Sequence, residues 1–187
     1  MRYKEYNPNK VIEKAIDLFW LNGVNGCSIN DLVEATGVNR FSLYHEFDNK
    51  RGILYASFKL YSDRFCKDKF SILNQDGDLV QILIEFYMSF LTENTPVSGC
   101  YIIHVGTELA DTDATVRKTL NTHLTEIESL LVALLLRHGY SKTNALFVSK
   151  HLLGLYCTAM SFCLIHSKEE QKKYLLNGIK LILSKNG

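Results

Sequence analysis

The chain has 187 residues, of which 47% are hydrophobic, so it can hold a small domain beside a larger one with a substantial core. Its formal net charge of +1 excludes a strongly basic or acidic protein, and by itself it neither favours nor opposes binding to nucleic acid. Only two prolines occur, Pro8 and Pro96, so long helices can run without interruption.

The cysteines and the termini indicate where the protein acts. The five cysteines are an odd number with no C-x-x-C pair, which argues against a disulfide framework or a zinc knuckle. The first ten residues are polar, so we expect no secretory signal. The longest apolar stretch, residues 152–165, is shorter than the roughly 20 residues that span a bilayer. We therefore expect a cytoplasmic protein that contacts no membrane and needs no cofactor.

In chain order the predicted elements are all helices, nine in number, and no strand or hairpin signal is visible. Predicted starts lie at Asn7, Ser28, Asn39, Asn49, Leu79, Gly99, Asp111-Thr112-Asp113, Ser141 and Ser167. The fourth helix runs to about Asn74, the fifth to about Glu93. Two breaks, Asp76-Gly77-Asp78 and Asn94-Thr95-Pro96, flank the fifth helix. The pattern predicts an all-α fold.

The second and third predicted helices form a helix-turn-helix. They are joined by a tight turn at Gly37, a residue that readily takes the left-handed conformation such a turn needs. The apolar residues that would fix the angle between them are Leu32, Val38, Leu43 and Phe47. The first helix would close the underside of this small core. We therefore expect an N-terminal DNA-binding head, residues 1–51, followed by a helical body, residues 52–187.

The outward face of the third helix is polar or aromatic, and such a helix can present its first residues to base edges in the major groove. Arg40 could read guanine or grip phosphate. The candidate DNA-binding residues are Ser28, Asn39, Arg40, Phe41, Ser42, Tyr44, His45 and Lys50. Against this, residues 1–51 carry seven basic and seven acidic side chains, a net charge of 7 − 7 = 0. The alternative is a three-helix bundle whose polar face is simply solvated.

Residues 11–63 resemble the DNA-binding domain of the TetR/AcrR family of repressors. The matching residues are Ala15, Leu18, Phe19, Gly23, Ser28, Ile29, Ala35, Gly37, Val38, Leu43, Tyr44, Phe47 and Lys50. The resemblance implies that Ser28, Tyr44 and Lys50 contact phosphates, while Asn39 to Ser42 and His45 sit at the groove. The chain departs from the family at Phe41, where a small residue is usual, at Val33 in place of alanine, and at Arg51-Gly52.

The body resembles one C-terminal subgroup of that family in Gly99-Cys100, Glu108-Leu109-Ala110 and Val116-Arg117, which implies an internal pocket and pairing of the last two helices across a two-fold axis. Independently, the eighth helix is apolar nearly all round and could face both its own core and a partner. The candidate dimer-interface residues are Leu146, Leu153, Phe162, Leu175 and Ile179. The alternative is a buried central helix of a monomer.

A ligand pocket is predicted from aromatic residues spread over several body helices, since such a cavity suits a flat or greasy molecule. The candidate pocket residues are Phe65, Phe86, Tyr87, Phe90, Tyr101, His104, Glu108, Tyr156 and Met160. Each could equally be ordinary core. Cys100, His104 and Glu108 lie on one helix face, but without a second ligand pair we expect no metal site.

The sequence thus predicts a homodimeric transcriptional regulator, most simply a repressor, that reads a palindromic operator and is released by a small hydrophobic or aromatic molecule acting through the fourth helix. Two alternatives remain open. An enzyme could use Cys100 and His104 as nucleophile and base, although no third orienting group is visible. A DNA-binding adaptor would sense no ligand at all.

Overall fold

The computed structural model describes residues 6–91, 99–163 and 165–184; the predicted break at Asn94-Thr95-Pro96, and Glu93, lie outside them. Over these residues all regular structure is helical and no strand occurs, which confirms the predicted fold class. The nine helices are α1 (Pro8–Asn22), α2 (Ile29–Thr36), α3 (Arg40–Phe47), α4 (Lys50–Tyr61, Ser62–Cys66 and Lys67–Ile72 in succession), α5 (Leu79–Met88), α6 (Tyr101–Leu109), α7 (Ala114–Arg137), α8 (Lys142–Phe162) and α9 (Lys168–Ser184).

Local capping bonds explain where the helices of the head begin. Asn39 and Asn49 each accept a hydrogen bond from the backbone N–H three residues on. Ser28 and Asp31 form a reciprocal capping box at α2. Gly37 ends α2 with φ 70° and ψ 8°, the left-handed conformation predicted for the turn. These starts depend on neighbours in sequence, which is why the sequence could predict them.

Helix α4 contains a feature that the sequence did not predict. Its middle segment, Ser62–Cys66, is a π-helical turn, so the side chains beyond it are rotated relative to a regular α-helix. Cys66 becomes buried, whereas Phe65 points outward and is 41% exposed. Phe65 stacks on Tyr61 with ring centroids 5.4 Å apart. The turn thus removes Phe65 from the interior of the body.

Helix α6 lies where the head meets the body, since it packs against α1 and α4 on one side and against α7 and α8 on the other. Tyr101, in its first turn, is buried with its ring beside Trp20 of α1 and Phe58 of α4, each 5.6 Å away by ring centroids. The Tyr101 hydroxyl is 2.7 Å from that of Ser57. The junction is therefore tightly packed and bridged by a buried hydrogen bond.

Helix α8 is the central helix of the body and packs against α7 and α9. With 21 residues it is, among the described helices, the one that by length and apolar composition alone could cross a membrane. Core helices meet the same criterion, and Val148, Leu152 and Tyr156 of α8 are fully buried within the chain. Its apolar composition is thus accounted for in part by the core of the body.

Candidate DNA-binding surface

The helix-turn-helix is held by a small apolar core. Leu32 of α2 and Leu43 of α3 are fully buried, and Val38 in the turn is nearly so. Phe47, at the end of α3, is partly buried against the same core. Burial on this scale contributes about 1.5–3 kcal/mol per large side chain. The four predicted apolar residues therefore fix α3 on α2 and leave the opposite face of α3 free.

That free face carries side chains suited to a DNA groove. Phe41 is 80% exposed and Tyr44 is 38% exposed, and Asn39, Arg40 and His45 are also exposed. The rings of Phe41 and His45 stack with centroids 6.3 Å apart. An exposed phenylalanine at this position can contact an apolar group in the groove, such as a thymine methyl.

Arg40 is oriented by a contact across the helix-turn-helix. Its Nη2 donates a 2.8 Å hydrogen bond to Oδ1 of Asn30, near the start of α2. The bond aligns the guanidinium with the N-terminal ends of both helices, where backbone N–H groups also favour phosphate. Asn30 was not among the predicted site residues, although its position two residues after the cap Ser28 could have suggested it.

Ser28 and Ser42 are engaged within the head. The Ser28 hydroxyl accepts from the Asp31 N–H, while the Ser28 N–H donates to the Asp31 carboxylate at 2.7 Å. The backbone bond first, and the side-chain bond second, hold the pKa of Asp31 below its usual range. Ser42 is half-buried, and its carbonyl accepts from Tyr6. Of these two serines, only Ser28 is exposed enough to reach a phosphate without rearrangement.

Lys50 faces inward, unlike the other predicted phosphate ligands. Its Nζ donates 2.8 Å hydrogen bonds to the carbonyls of Val24 and Cys27, in the loop between α1 and α2. Lys50 therefore ties α4 to that loop. A phosphate contact by Lys50 would need at least one of these bonds to be exchanged.

The junction between α4 and the body contains a buried carboxylate, Asp113. It caps α7 by accepting from the N–H groups of Thr115 and Val116, and its second oxygen accepts from the Tyr55 hydroxyl at 2.8 Å. Arg51 Nε lies 3.5 Å from it. Desolvation opposes its ionisation, but these hydrogen bonds and the arginine outweigh it and lower the pKa of Asp113. Sequence reasoning predicted a helix start at residues 111–113 but not the bond to Tyr55.

Replacing Asp113 with alanine should lower the free energy of unfolding by about 2–4 kcal/mol at pH 7, since a cap and a charged hydrogen bond are both lost. Urea denaturation measures this. Asp78→Ala is the matched control, because the exposed Asp78 only caps α5, through Gln81 N–H.

Because the pKa of Asp113 is lowered on folding, the difference between wild type and Asp113→Ala should persist above about pH 5 and shrink as pH falls through about 3.9 and below. A loss no larger than that of Asp78→Ala would contradict this account.

The predicted pocket residues do not all come together. Tyr156 of α8 is buried with the rings of Phe86, Tyr87 and Phe90 around it, at centroid distances of 5.7, 6.2 and 5.3 Å. Phe65 is outside this aromatic cluster because of the π turn. Tyr101 lies at the junction with the head, and His104 is only half-buried. A surface depression of about 350 Å³ lies instead on α7, lined by Asn121, Thr122, Thr125, Glu126 and Ser129.

Glu108 also differs from its predicted place. Its carboxylate is exposed and accepts hydrogen bonds from the N–H groups of Val24 and Asn25, at 2.8 and 2.7 Å. It thus contacts the head and does not line the aromatic cluster. Cys100, His104 and Glu108 accordingly do not converge, and no metal-binding group of three such side chains is found within residues 6–91, 99–163 and 165–184.

Cys100 does find an imidazole, but it belongs to His123 of α7, with Sγ and Nε2 3.4 Å apart. The same Nε2 is 3.3 Å from the Tyr156 hydroxyl. Burial opposes ionisation of the thiol, yet the charge of His123 and these hydrogen bonds outweigh it and lower the pKa of Cys100 to about 7. His123 was missed, although its spacing from Val116 and Ile127 places it on the buried stripe of α7. The pairing of Cys100 with His104, on which the enzyme alternative depended, is not formed.

The predicted interface residues divide into two groups. Leu146 is 45% exposed and Phe162 is 36% exposed, and Leu153 is half-buried. Leu175 and Ile179 have no exposed surface in the single chain. In the single chain these two belong to the core of the body and offer no surface to a partner. Further exposed apolar residues on α8 and α9 are Phe147, Tyr174 and Leu181.

An N-terminal helix-turn-helix with an exposed second helix, joined to a larger all-helical body, defines a class of helix-turn-helix DNA-binding regulators. Residues 11–56 match the family model described as bacterial regulatory proteins, tetR family. Residues 11–56 are thus similar to the DNA-binding part of the TetR family, and the fold of the chain is similar to that of TetR-family regulators.

Individual proteins show the same similarity. The chain is 32% identical over 126 residues to the HTH-type transcriptional repressor ComR of Escherichia coli K12, covering 65% of this chain and 60% of ComR. It thus spans less than two thirds of that repressor. Its fold is similar to that of SCO4454, a TetR-family regulator from Streptomyces coelicolor, with a TM-score of 0.83, 17% identity and coverage of 95% and 94%. The fold is also similar to that of a cysteine mutant of the TetR-family regulator CifR, solved with 26bp double-strand operator DNA. The TM-score is 0.81 at 17% identity, and the match covers 96% of this chain and 98% of CifR.

Proposed function

We propose that this chain is a cytoplasmic, ligand-responsive transcriptional repressor that binds a palindromic operator as a homodimer. The observation that carries the proposal is the exposed face of α3, on which Arg40, Phe41 and Tyr44 stand clear of the core. The name of one relative favours repression, since ComR is named a transcriptional repressor. The head is residues 1–51 and the body residues 52–187.

Dimerisation is supported by exposed apolar side chains on two neighbouring helices. Leu146 and Phe162 lie on α8, and Tyr174 and Leu181 on α9, each at least 36% exposed. Exposed apolar side chains that form one patch usually mark a surface that binds another molecule. A symmetric pair would bury α8 and α9 of both chains together and place two α3 helices about one DNA turn apart.

The effector is proposed to be a small aromatic or hydrophobic molecule that enters the aromatic cluster around Tyr156. The rings give an apolar lining, and the Cys100–His123 pair supplies polar groups within it. The close packing of these rings favours a second candidate, a regulator that senses no small molecule. An aromatic compound that raises the melting temperature and releases bound DNA would exclude the second candidate.

The test of the function is selection of DNA by the full chain from random duplexes. We expect enrichment of one palindromic site with half-sites about one helical turn apart. Fluorescence anisotropy measures the affinity of the chain for that site and for a scrambled duplex of equal length. We expect the affinity for the selected site to be at least about 10³-fold higher, since specific binding by DNA-binding proteins exceeds their non-specific binding by at least that factor. Failure to enrich any sequence would refute the proposal.

A further inference from the structure

The carboxylate of Glu108 joins the body directly to the head. It leaves the last turn of α6 and accepts from two consecutive backbone N–H groups, those of Val24 and Asn25, which lie 84 and 83 positions earlier in the chain. Both bonds are short, and hydrogen bonds to an ionised acceptor are about twice as strong as neutral ones. The head thus receives a contact from the body that bypasses α4.

The loop that Glu108 holds is shaped for this approach. Gly23 has φ +71°, and a Cβ there would lie 3.0 Å from Oε2 of Glu108. A side chain at that position would be strained and would press on the carboxylate. From the other side Lys50 of α4 binds the carbonyls of Val24 and Cys27. The loop is therefore bound on two sides: its N–H groups donate to Glu108 of the body, and its carbonyls accept from Lys50 of α4.

The loop bound by Glu108 and Lys50, residues 24–27, leads directly into the helix-turn-helix. Ser28, the cap of α2, follows it at once, and Asn30 in the first turn of α2 holds Arg40 of α3. The loop held by Glu108 is therefore continuous with α2, and α2 is joined to α3 through Asn30 and Arg40. At its other end α6 begins beside Cys100, which contacts His123 in the body. Helix α6 therefore spans the distance from the interior of the body to the loop.

We propose that Glu108 is a positioning residue that orients the head from α6 and so sets the separation of the two recognition helices in the dimer. The inference rests on the proposed function, because separation matters only if paired heads read two half-sites. Glu108 touches no base; it restricts the directions in which α3 can point. Its removal should relax the spacing that the dimer accepts more than it weakens binding as such.

The experiment uses the DNA site selected by the wild-type chain and two versions with one central base pair added or removed. The spacing preference is the ratio of affinities for the original and altered sites. We expect this ratio to fall about fivefold in Glu108→Gln and in Glu108→Asp. The glutamine keeps the length but loses the charge and one acceptor oxygen, whereas the aspartate keeps the charge but is one methylene shorter. A fall in both variants therefore reflects the weakened hydrogen bonds to the Val24 and Asn25 N–H groups and not altered charge near DNA. Glu85→Gln, at an exposed position on α5, is the matched control.

Hydrogen exchange at the Val24 and Asn25 amides provides a second measurement that needs no DNA. Exchange should be faster in both Glu108 variants than in wild type or Glu85→Gln, while the amides of α3 stay protected. An unchanged spacing preference in folded Glu108 variants would overturn the proposal, and so would unchanged exchange at the two amides. If the wild type selects no DNA, the proposed function fails, and exchange alone then decides whether the contact restrains the loop.

Discussion

Replacing Arg40 with alanine is expected to reduce affinity for the selected DNA site by at least about 30-fold. A bidentate contact between arginine and guanine discriminates by about 1–3 kcal/mol, and a palindrome contains two such contacts. The side chain is exposed and its one internal bond is to Asn30, so the fold should be unaffected. Fluorescence anisotropy against the selected and scrambled duplexes measures the loss, and circular dichroism verifies the fold.

The pattern of loss distinguishes base reading from phosphate binding. Arg40→Ala should relax specificity at one position in each half-site, whereas Tyr44→Ala should weaken binding to selected and scrambled duplexes alike. Lys118→Ala is the control, because Lys118 is exposed on α7, outside the head. Wild-type affinity in Arg40→Ala would show that this face of α3 does not read the operator.

Changing both Leu146 and Phe162 to glutamate should convert the proposed dimer to a monomer and lower operator affinity by roughly 10²–10⁴-fold. The charges would lie in an apolar interface where each is costly to desolvate. Two linked heads gain about this factor over one head, because the second binding event is intramolecular. Sedimentation velocity gives the oligomeric state, and anisotropy on the same samples gives the affinity.

A matched control for this variant is Phe65→Glu. Phe65 is an aromatic residue of similar exposure, 41% against 36% for Phe162, but it lies on α4 away from α8 and α9. This substitution should leave both the dimer and the affinity unchanged. A double variant that remains dimeric would place the interface elsewhere and would remove the geometric reason for a palindromic operator.

The sequence by itself determined the local structure of this protein. The starts of α2 and α3 could be predicted because the capping bonds of Ser28 and Asn39 join residues three apart. The turn at Gly37 could be predicted because few residues other than glycine adopt positive φ without strain. The outward face of α3 followed from helical spacing once Leu43 was assigned to the core.

The tertiary structure alone decided the partners that are distant in sequence. Glu108 and Lys50 converge on one loop from positions 84 and 26 residues away from Val24, and no local pattern encodes those distances. Nor could the apolar residues of α9 be divided by spacing between core and exposed surface, since Leu175 and Ile179 become buried only when α9 packs on α5 and α8. Local bonds fix each helix before the chain is compact, but which surfaces and charges meet depends on how the helices pack.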